Sequence, residues 1–273
     1  MCGIAGVFEA GARVSYDLET VARRMGEEIV HRGPDGGAVW MNDGRNLALI
    51  HRRLAIIDLS EAGHQPMTSA CGRYVICYNG EVYNSQEMRP ELEAAGVEFR
   101  GHSDTEVILE HCAREGVKRT VERLAGMFAF ALWDKREKCL WLVRDRLGIK
   151  PLYWQLIQGG GIIFASELKS MRAHPQCSAE IDRDAVAAFL RHNCVPGAQS
   201  IYKGGSKLMP GHILRIGQDM SETEIFPYWT MEEVVAAGKR NPFAGGDDEA
   251  LAQLEVVLTE AVRGRMIADV PLG

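Results

Sequence analysis

The stretch Met127-Phe128-Ala129-Phe130-Ala131-Leu132-Trp133 is apolar at every position. Alternate side chains of a β-strand point to opposite faces, so such a strand must be covered on both sides. The strand-like runs of this chain occur in series joined by short turns, and the helical runs occur in blocks between them. This order favours antiparallel sheets with helices packed outside over alternating strand–helix–strand units. Two stacked sheets would bury residues 127–133 on both faces.

Hydrophobic periodicity and turn signals predict the remaining elements on either side of this stretch. Strands are predicted at 3–9, 37–42, 47–57, 74–79, 139–144, 151–157 and 161–165, with a hairpin around 201–216. Helices are predicted from Asp17 to about Ile29 and at 85–95, 103–116, 118–124 and 182–192. Ser103, with Glu106 three residues later, forms a capping-box pattern at the start of one of them.

The composition changes near residue 193, where prolines and glycines become frequent. We predict one domain over residues 1–216 and a connector over residues 217–246. From Asp247 an amphipathic helix to about Arg265 would begin a second domain over residues 247–273. The chain ends at Gly273 soon after this helix, and we expect it to be part of a longer protein.

The net charge of −6 and the isoelectric point near 5.8 argue against nucleic acid as the main partner. No stretch approaches the roughly 20 apolar residues that span a bilayer, and no signal peptide is recognisable, so we expect no membrane association. The seven cysteines show no Cys-x-x-Cys spacing. We therefore expect no metal site, and free thiols in a reducing cytoplasm.

Cys2 directly follows the initiator methionine. A small second residue permits removal of Met1, after which Cys2 carries both a thiol and a free α-amino group. An α-amino group has a pKa of about 7.7–8.0 and acts as a base near neutral pH. A thiol is a strong nucleophile once its proton is removed. Cys2 is thus a nucleophile that carries its own base, and it needs no histidine partner. The alternative interpretation, which Cys2 taken alone favours, is that a cysteine in second position is accidental.

Four further segments have a functional and a structural interpretation. His31–Gly36 ends a helix in a sharp turn. In His51-Arg52-Arg53, adjacent arginines point to opposite faces of a strand, so one can bind a substrate carboxylate or form a structural ion pair. Asn79-Gly80 is either a turn or a pair of N–H donors for an oxyanion. Asp104 either stabilises the start of a helix or binds an ammonium group.

Taken together, these segments resemble the class II glutamine amidotransferases, which are N-terminal-nucleophile hydrolases, and specifically their glutamine-hydrolysing asparagine synthetase branch. The resemblance is carried by Met1–Ile4, His31–Gly36, Arg53-Leu54, Asn79–Glu81, Ser103-Asp104, Arg144–Tyr153 and Ala268–Gly273. It implies an α+β fold, a four-layer αββα sandwich of two antiparallel sheets, followed by the start of an α/β synthetase domain.

The resemblance also implies which residues catalyse the reaction. Cys2 would attack the side-chain amide of L-glutamine, and its α-amino group would pass the thiol proton to the leaving ammonia. Asn79 and the Gly80 N–H would bind the oxyanion.

Further residues are implied to bind the two charged groups of glutamine. Arg53 would bind the α-carboxylate, while Glu81 and Asp104 would bind the α-ammonium. Backbone groups lining the same pocket would come from Leu54, Ile56 and Ile57.

For the whole family, the resemblance implies a γ-glutamyl thioester and a tunnel that carries ammonia to a synthetase domain. ATP and Mg²⁺ would act there, with aspartate as the acceptor and asparagine as the product. No cofactor is expected within these residues, and a homodimer is an assembly that the sequence leaves open. Two alternatives stay open: a sugar acid or peptide carboxylate as the acceptor, or a non-catalytic domain that senses glutamine or serves for docking.

Overall fold

The computed structural model describes residues 1–10, 16–220 and 222–271. Its strands are β1 (Gly3–Glu9), β2 (Gly36–Met41), β3 (Leu47–Arg53), β4 (Met67–Thr68), β5 (Tyr74–Val82), β6 (Gly126–Asp134), β7 (Cys139–Arg144), β8 (Tyr153–Ile157), β9 (Gly161–Ala165), β10 (Gly205–Lys207), β11 (His212–Ile216) and β12 (Thr223–Pro227). Its α-helices are α1 (Leu18–Glu27), α2 (Ser85–Ala94), α3 (Asp104–Glu115), α4 (Val117–Arg123), α5 (Leu168–Arg172), α6 (Arg183–His192), α7 (Met231–Arg240) and α8 (Asp247–Gly264).

The strands form two six-stranded sheets. The first has the order β10-β8-β9-β1-β3-β2 and the second has the order β12-β11-β7-β6-β5-β4. Neighbouring strands pair antiparallel in both sheets. The two sheets therefore meet the prediction of antiparallel sheets instead of alternating strand–helix–strand units.

Three apolar layers hold these elements together. One lies between the first sheet and helices α1 and α5. A second lies between the two sheets and includes Phe8, Phe164 and Trp133. The third lies between the second sheet and helices α2, α3 and α4. The predicted four-layer αββα sandwich is thereby confirmed.

Strand β6 shows why the apolar stretch 127–133 requires two sheets. Phe128, Phe130 and Leu132 pack toward the helices that cover the second sheet. The alternating residues Ala129 and Ala131 face the first sheet. Trp133, the next residue on that face, also packs between the sheets, so both faces of the strand are covered.

Side-chain caps begin two of the predicted helices. Asp17 Oδ2 accepts a hydrogen bond of 3.0 Å from Thr20 N at the start of α1, and Ser103 Oγ accepts one of 3.3 Å from Glu106 N at the start of α3. Glu106 does not complete a capping box, because its carboxylate accepts bonds from the backbone N–H groups of Arg100 and Gly101 instead. The caps are as predicted, but the reciprocal bond is not formed.

Three sequence-based boundaries are wrong. The strand predicted to reach residue 57 ends at Arg53, because the Arg53 guanidinium binds the carbonyl oxygens of Asp58 and Ser60 and folds residues 54–58 back as a loop. Asn79-Gly80 is not a turn but lies inside β5, paired with β6. The segment 201–216 is not a hairpin, since β10 joins the first sheet and β11 the second.

Several elements were not predicted. They are β4, α5, β12 and α7. Of these, β12 and α7 lie within residues 217–246, and β12 forms the edge of the second sheet. Helix α8 begins at Asp247, where the sequence predicts a helix. Among the helices of the described residues, none is both long and apolar enough to cross a membrane.

We expect the substitution Gly6→Ala to destabilise the fold by about 1–3 kcal/mol, the usual cost of overpacking a core. A Cβ at residue 6 would lie 2.2 Å from Phe164 Cζ and 2.7 Å from the Ala48 carbonyl oxygen, between the sheets. Urea unfolding measures the effect. The control Gly238→Ala lies in α7, where a Cβ meets nothing within 4 Å, and should be neutral or stabilising. Equal midpoints for both variants would contradict the packing described.

Candidate functional site

Cys2 lies at the end of β1, next to the loop that leaves β3. The antiparallel register pairs Gly3 with Arg52, so the residue before β1 lies beside the residues after β3. Cys2 Sγ accepts a hydrogen bond of 3.3 Å from Leu54 N and lies 3.5 Å from Leu54 O. Burial raises the pKa of the Cys2 thiol, although the hydrogen bond from Leu54 opposes this effect. The thiol is therefore protonated at neutral pH and needs a base to become a nucleophile.

Asn79 and Gly80 belong to β5 of the second sheet and line the same pocket as Cys2. The Asn79 Nδ2 group is buried and has no hydrogen-bond partner among the described residues. A buried donor without a partner is costly, and this is typical of positions that a ligand completes. At residue 80 a Cβ would lie 2.5 Å from Met127 O. Glycine is thus required there by the approach of β6, a reason that the sequence did not reveal.

All nine residues that the sequence analysis singled out line one pocket. They are Cys2, Arg53, Leu54, Ile56, Ile57, Asn79, Gly80, Glu81 and Asp104. They come from the first residues of the chain, the loop after β3, strand β5 and the start of α3. Residues more than 100 positions apart in sequence are thereby brought together by the stacking of the two sheets.

Arg53 is buried with only 8% of its surface exposed. Its Nη1 donates a hydrogen bond of 3.0 Å to Ser60 O, and its Nη2 donates to Asp58 O. A guanidinium has five N–H donors, so these two bonds hold the group in place and leave further donors for an anion in the pocket. No carboxylate of the described residues forms an ion pair with Arg53, so the structural ion pair that the sequence left open is not formed.

The acidic side of the pocket is built from Asp104 and Glu81. Asp104 accepts hydrogen bonds from Tyr78 Oη (2.6 Å), Val82 N (2.9 Å) and Thr105 N (2.9 Å). Burial raises the pKa of Asp104, and these three bonds lower it again in part. An ionised carboxylate accepts about four bonds, so roughly one position remains open on Asp104. Burial likewise raises the pKa of Glu81.

Lys150 is a pocket residue that the sequence analysis did not assign. It is 3% exposed and lines the same pocket, and its ammonium forms no hydrogen bond or ion pair with the part of the chain that is described. Burial lowers the pKa of Lys150, and Glu81 opposes this shift. In return, the positive charge of Lys150 opposes the rise that burial causes in the pKa of Glu81. Lys150 lies in the segment Arg144–Tyr153, which carries part of the family resemblance, and this was the sequence signal that could have identified it.

Arg32 and Glu167 support the chain terminus. Arg32 Nε donates to the Cys2 carbonyl oxygen at 3.0 Å, and its Nη1 pairs with Glu167 at 2.9 Å. Burial lowers the pKa of the Met1 α-amino group, the Cys2 thiolate opposes this, and the charges of Arg32 and Lys150 lower it further. An amino group at this place is thus favoured in its unprotonated form, which is the form that acts as a base.

A second cluster outside the pocket has metal-ligand residue types. Glu91, His111 and Glu115 offer ligand atoms within 4.8 Å of one another. Arg123, however, donates hydrogen bonds to both carboxylates. Since a guanidinium already supplies the positive charge, we interpret the cluster as an ion-pair network between helices.

Comparison with known protein families agrees with this geometry. The family model for the glutamine amidotransferase domain matches residues 1–229. The chain belongs to this family. Its predicted resemblance to the class II glutamine amidotransferases is thereby confirmed.

Two relatives of the domain are much longer than this chain. "Asparagine synthetase [glutamine-hydrolyzing] 3" of Bacillus subtilis is 35% identical over an alignment that covers 100% of this chain and 42% of the relative. "Amidase chry2" of Gibberella zeae is 33% identical, with 100% of this chain and 40% of the relative covered. The glutamine amidotransferase domain described here thus spans less than half the length of these relatives.

Solved structures share the fold. The glutamine phosphoribosylpyrophosphate amidotransferase of Bacillus subtilis superposes with a TM-score of 0.60, covering 84% of this chain and 50% of that chain. Its sequence identity is 18%, so the likeness concerns the fold alone. It supports the arrangement of two stacked antiparallel sheets in the glutamine amidotransferase domain.

Proposed function

We propose that this chain hydrolyses the side-chain amide of L-glutamine through a thioester on Cys2. The observation that carries the proposal is the juxtaposition of Cys2 with the buried, unpartnered Asn79 amide in a single pocket. A nucleophile opposite a preorganised N–H donor is what acyl transfer requires, because negative charge develops on the carbonyl oxygen in the transition state.

Each step of the reaction has a group available to it. The Cys2 thiol transfers its proton to the α-amino group, and the sulfur attacks the amide carbon of glutamine. The oxyanion that forms accepts hydrogen bonds from Asn79 Nδ2 and the Gly80 N–H. When the carbon–nitrogen bond breaks, the proton on the α-amino group passes to the leaving ammonia. Water then attacks the thioester, its proton returns to the thiolate through the same amino group, and glutamate leaves.

The proposal requires that Met1 be removed. Met1 lines the pocket and is followed directly by the nucleophile. Its removal moves the free α-amino group onto Cys2 and also vacates part of the pocket. Arg32 donates to the carbonyl oxygen of Cys2, so its positive charge would lie near the new amino group and favour the unprotonated form. Because burial keeps the Cys2 thiol protonated, such a base is needed at neutral pH.

Glutamine is recognised by the charges at the two sides of the pocket. Arg53 keeps guanidinium donors free for the α-carboxylate, and the backbone of Leu54, Ile56 and Ile57 lies beside it. Glu81 and Asp104 face the α-ammonium. A zwitterionic amino acid matches both charges, whereas a simple amide matches neither, so the pocket favours glutamine over small amides.

We further propose that the ammonia released is used by a synthetase domain in a longer protein. There ATP and Mg²⁺ would activate an acceptor carboxylate, with aspartate as the first candidate because relatives such as that of Bacillus subtilis are named asparagine synthetases. The relative from Gibberella zeae is named an amidase and not an asparagine synthetase, so a sugar acid or peptide carboxylate is kept as the second candidate acceptor.

Replacing the nucleophile should abolish glutamine hydrolysis. We expect Cys2→Ala to lower glutaminase activity by at least a thousandfold, since no other group in the pocket replaces the thiolate. Glutamate release is the measurement, and Cys71→Ala, an exposed cysteine, is the matched control. Residual activity within tenfold of the unmodified chain would refute the thioester mechanism. If an electrophilic glutamine analogue leaves no adduct on the N-terminal residue, a glutamine-sensing domain is favoured instead.

Replacing Asn79 should lower kcat more than it changes KM for glutamine. Loss of one oxyanion donor typically lowers kcat by about 10²–10³-fold, and we expect this for Asn79→Ala with KM changed by less than about threefold. Asn79→Asp preserves the shape of the side chain but removes its N–H donors, so it should be impaired at least as strongly. Steady-state kinetics would contradict the assignment if KM rose and kcat stayed constant.

The acceptor can be tested in a longer protein that contains this domain. With glutamine, ATP and Mg²⁺ present, we expect aspartate to be converted to asparagine with release of AMP. Chromatography of the products measures this, and the Cys2→Ala variant supplied with ammonium salt is the control, since its acceptor site is intact. Glutamate formation without asparagine would favour the sugar acid or peptide carboxylate.

A further inference from the structure

Asp269 lies forty residues beyond the last residue of the family match, yet it contacts the loop that follows β3. Its backbone N–H donates a hydrogen bond of 2.8 Å to Ile56 O. Its carboxylate Oδ2 accepts one of 2.7 Å from Asp58 N and one of 2.6 Å from His102 Nε2. One residue near the end of the chain thereby makes three contacts at the outer side of the glutamine pocket.

The loop that Asp269 contacts is also held from the inside. Asp58 has a positive φ of 54°, a conformation that costs free energy for any residue with a side chain. The Arg53 guanidinium binds the Asp58 carbonyl oxygen, and the Asp58 carboxylate accepts a bond of 2.8 Å from His102 N. With Asp269 on the Asp58 N–H, every polar group of this strained residue is bonded.

The end of helix α8 also contacts Tyr83, the residue that directly follows β5. The Arg265 guanidinium lies 4.9 Å from the centre of the Tyr83 ring, within the range of a cation–π contact. A Cβ at Gly264 would lie 3.2 Å from Tyr83 Cβ. Tyr83 comes two residues after Glu81 in the sequence. Residues 264–269, which we call the strap, therefore touch both the loop 54–58 and the strand end that carries Glu81.

From these contacts we propose that Asp269 is a positioning residue for glutamine, which holds the loop 54–58 in the shape that binds substrate. The inference rests on the proposed glutaminase function and adds to it a residue from outside the matched domain. A loop that is ordered before binding loses less conformational entropy when the ligand arrives. The strap contacts this loop at Ile56 and Asp58, whereas Cys2 Sγ is hydrogen-bonded to Leu54 at the start of the loop, and Asn79 and Gly80 lie on β5.

The exposure of the side chains indicates which of the Asp269 contacts contributes most to holding the loop 54–58. The His102 and Asp269 side chains are 56% and 39% exposed, and an exposed ion pair adds little stability. The bond from the Asp58 N–H acts directly on the strained residue, so we assign the main effect to it. His102 and Asp58 together hold the pKa of the Asp269 carboxyl below its usual range, which keeps the acceptor ionised at neutral pH.

The test is the kinetics of glutamine hydrolysis by variants of the 273-residue chain. For Asp269→Ala we expect KM for glutamine to rise about tenfold, as for loss of one charge-assisted hydrogen bond, with kcat within about twofold. Asp269→Asn should recover most of the affinity, since its amide oxygen still accepts from Asp58 N. His102→Ala should raise KM less than Asp269→Ala does. The control Asp248→Ala changes an acidic residue in the first turn of α8 and should leave both constants unchanged.

Two outcomes would overturn the inference while leaving the glutaminase intact. One is an Asp269→Ala variant whose KM stays within twofold of that of the unmodified chain. The other is an equal fall of kcat in Asp269→Ala and Asp269→Asn with unchanged KM, which indicates a general loss of folded protein. If the unmodified chain does not hydrolyse glutamine at all, the proposed function itself fails. Thermal unfolding of each variant separates a positioning effect from a loss of stability.

Discussion

The contact between strands β3 and β5 is the constraint on which the site depends, because these strands belong to different sheets. His51 Nε2 lies 3.1 Å from Tyr78 O, and Cys77 Sγ donates to Ile50 O at 2.9 Å. Both contacts are buried. They fix one sheet against the other at the position where Arg53 and Asn79 follow along their strands. A shift of one residue in either strand would turn its pocket side chains to the wrong face.

His51 belongs to this contact between the sheets and takes no part in catalysis. Burial lowers the pKa of His51 to about 3, so the imidazole is neutral at neutral pH. Its place is within the sheet interface, and its bond to Tyr78 O joins the two sheets. This agrees with a nucleophile that draws on an α-amino group and needs no histidine.

The pocket is lined by charged side chains that are only partly paired with other groups of the protein. Arg53 and Lys150 contribute positive charge, and Glu81 and Asp104 contribute negative charge. Burial raises the pKa of both acids, which shows that ionising them without a partner is costly. A zwitterionic substrate would relieve this cost on both sides at once. The strap contacts the backbone of Ile56 and Asp58 and the side chain of Tyr83, and we propose that it thereby holds the loop that borders the pocket.

Elements with a strong local signal were predicted well, and those set by distant contacts were not. Strands β1, β7 and β9 and the cap at Ser103 follow from alternation and capping, which neighbouring residues determine. The end of β3 depends on the Arg53 guanidinium reaching Asp58 and Ser60. The extension of β5 through Asn79-Gly80 depends on pairing with β6. Lys150 was missed although it lies in the motif Arg144–Tyr153, because the burial of a loop lysine is decided by the distant elements that pack around it.

The sequence by itself determined that Cys2 carries a thiol and, after removal of Met1, a base, and that residues 127–133 must be buried on both faces. Both follow from covalent chemistry and from the alternation of a strand. It also showed that Arg52 and Arg53 point in opposite directions, but alternation does not tell which face is the inner one. The tertiary structure decided this: Arg53 lines the pocket, whereas Arg52 Nε donates to Gly26 O at the end of α1. The reason is physical, since only the packing of α1 on one face and of the second sheet on the other distinguishes the two sides of β3.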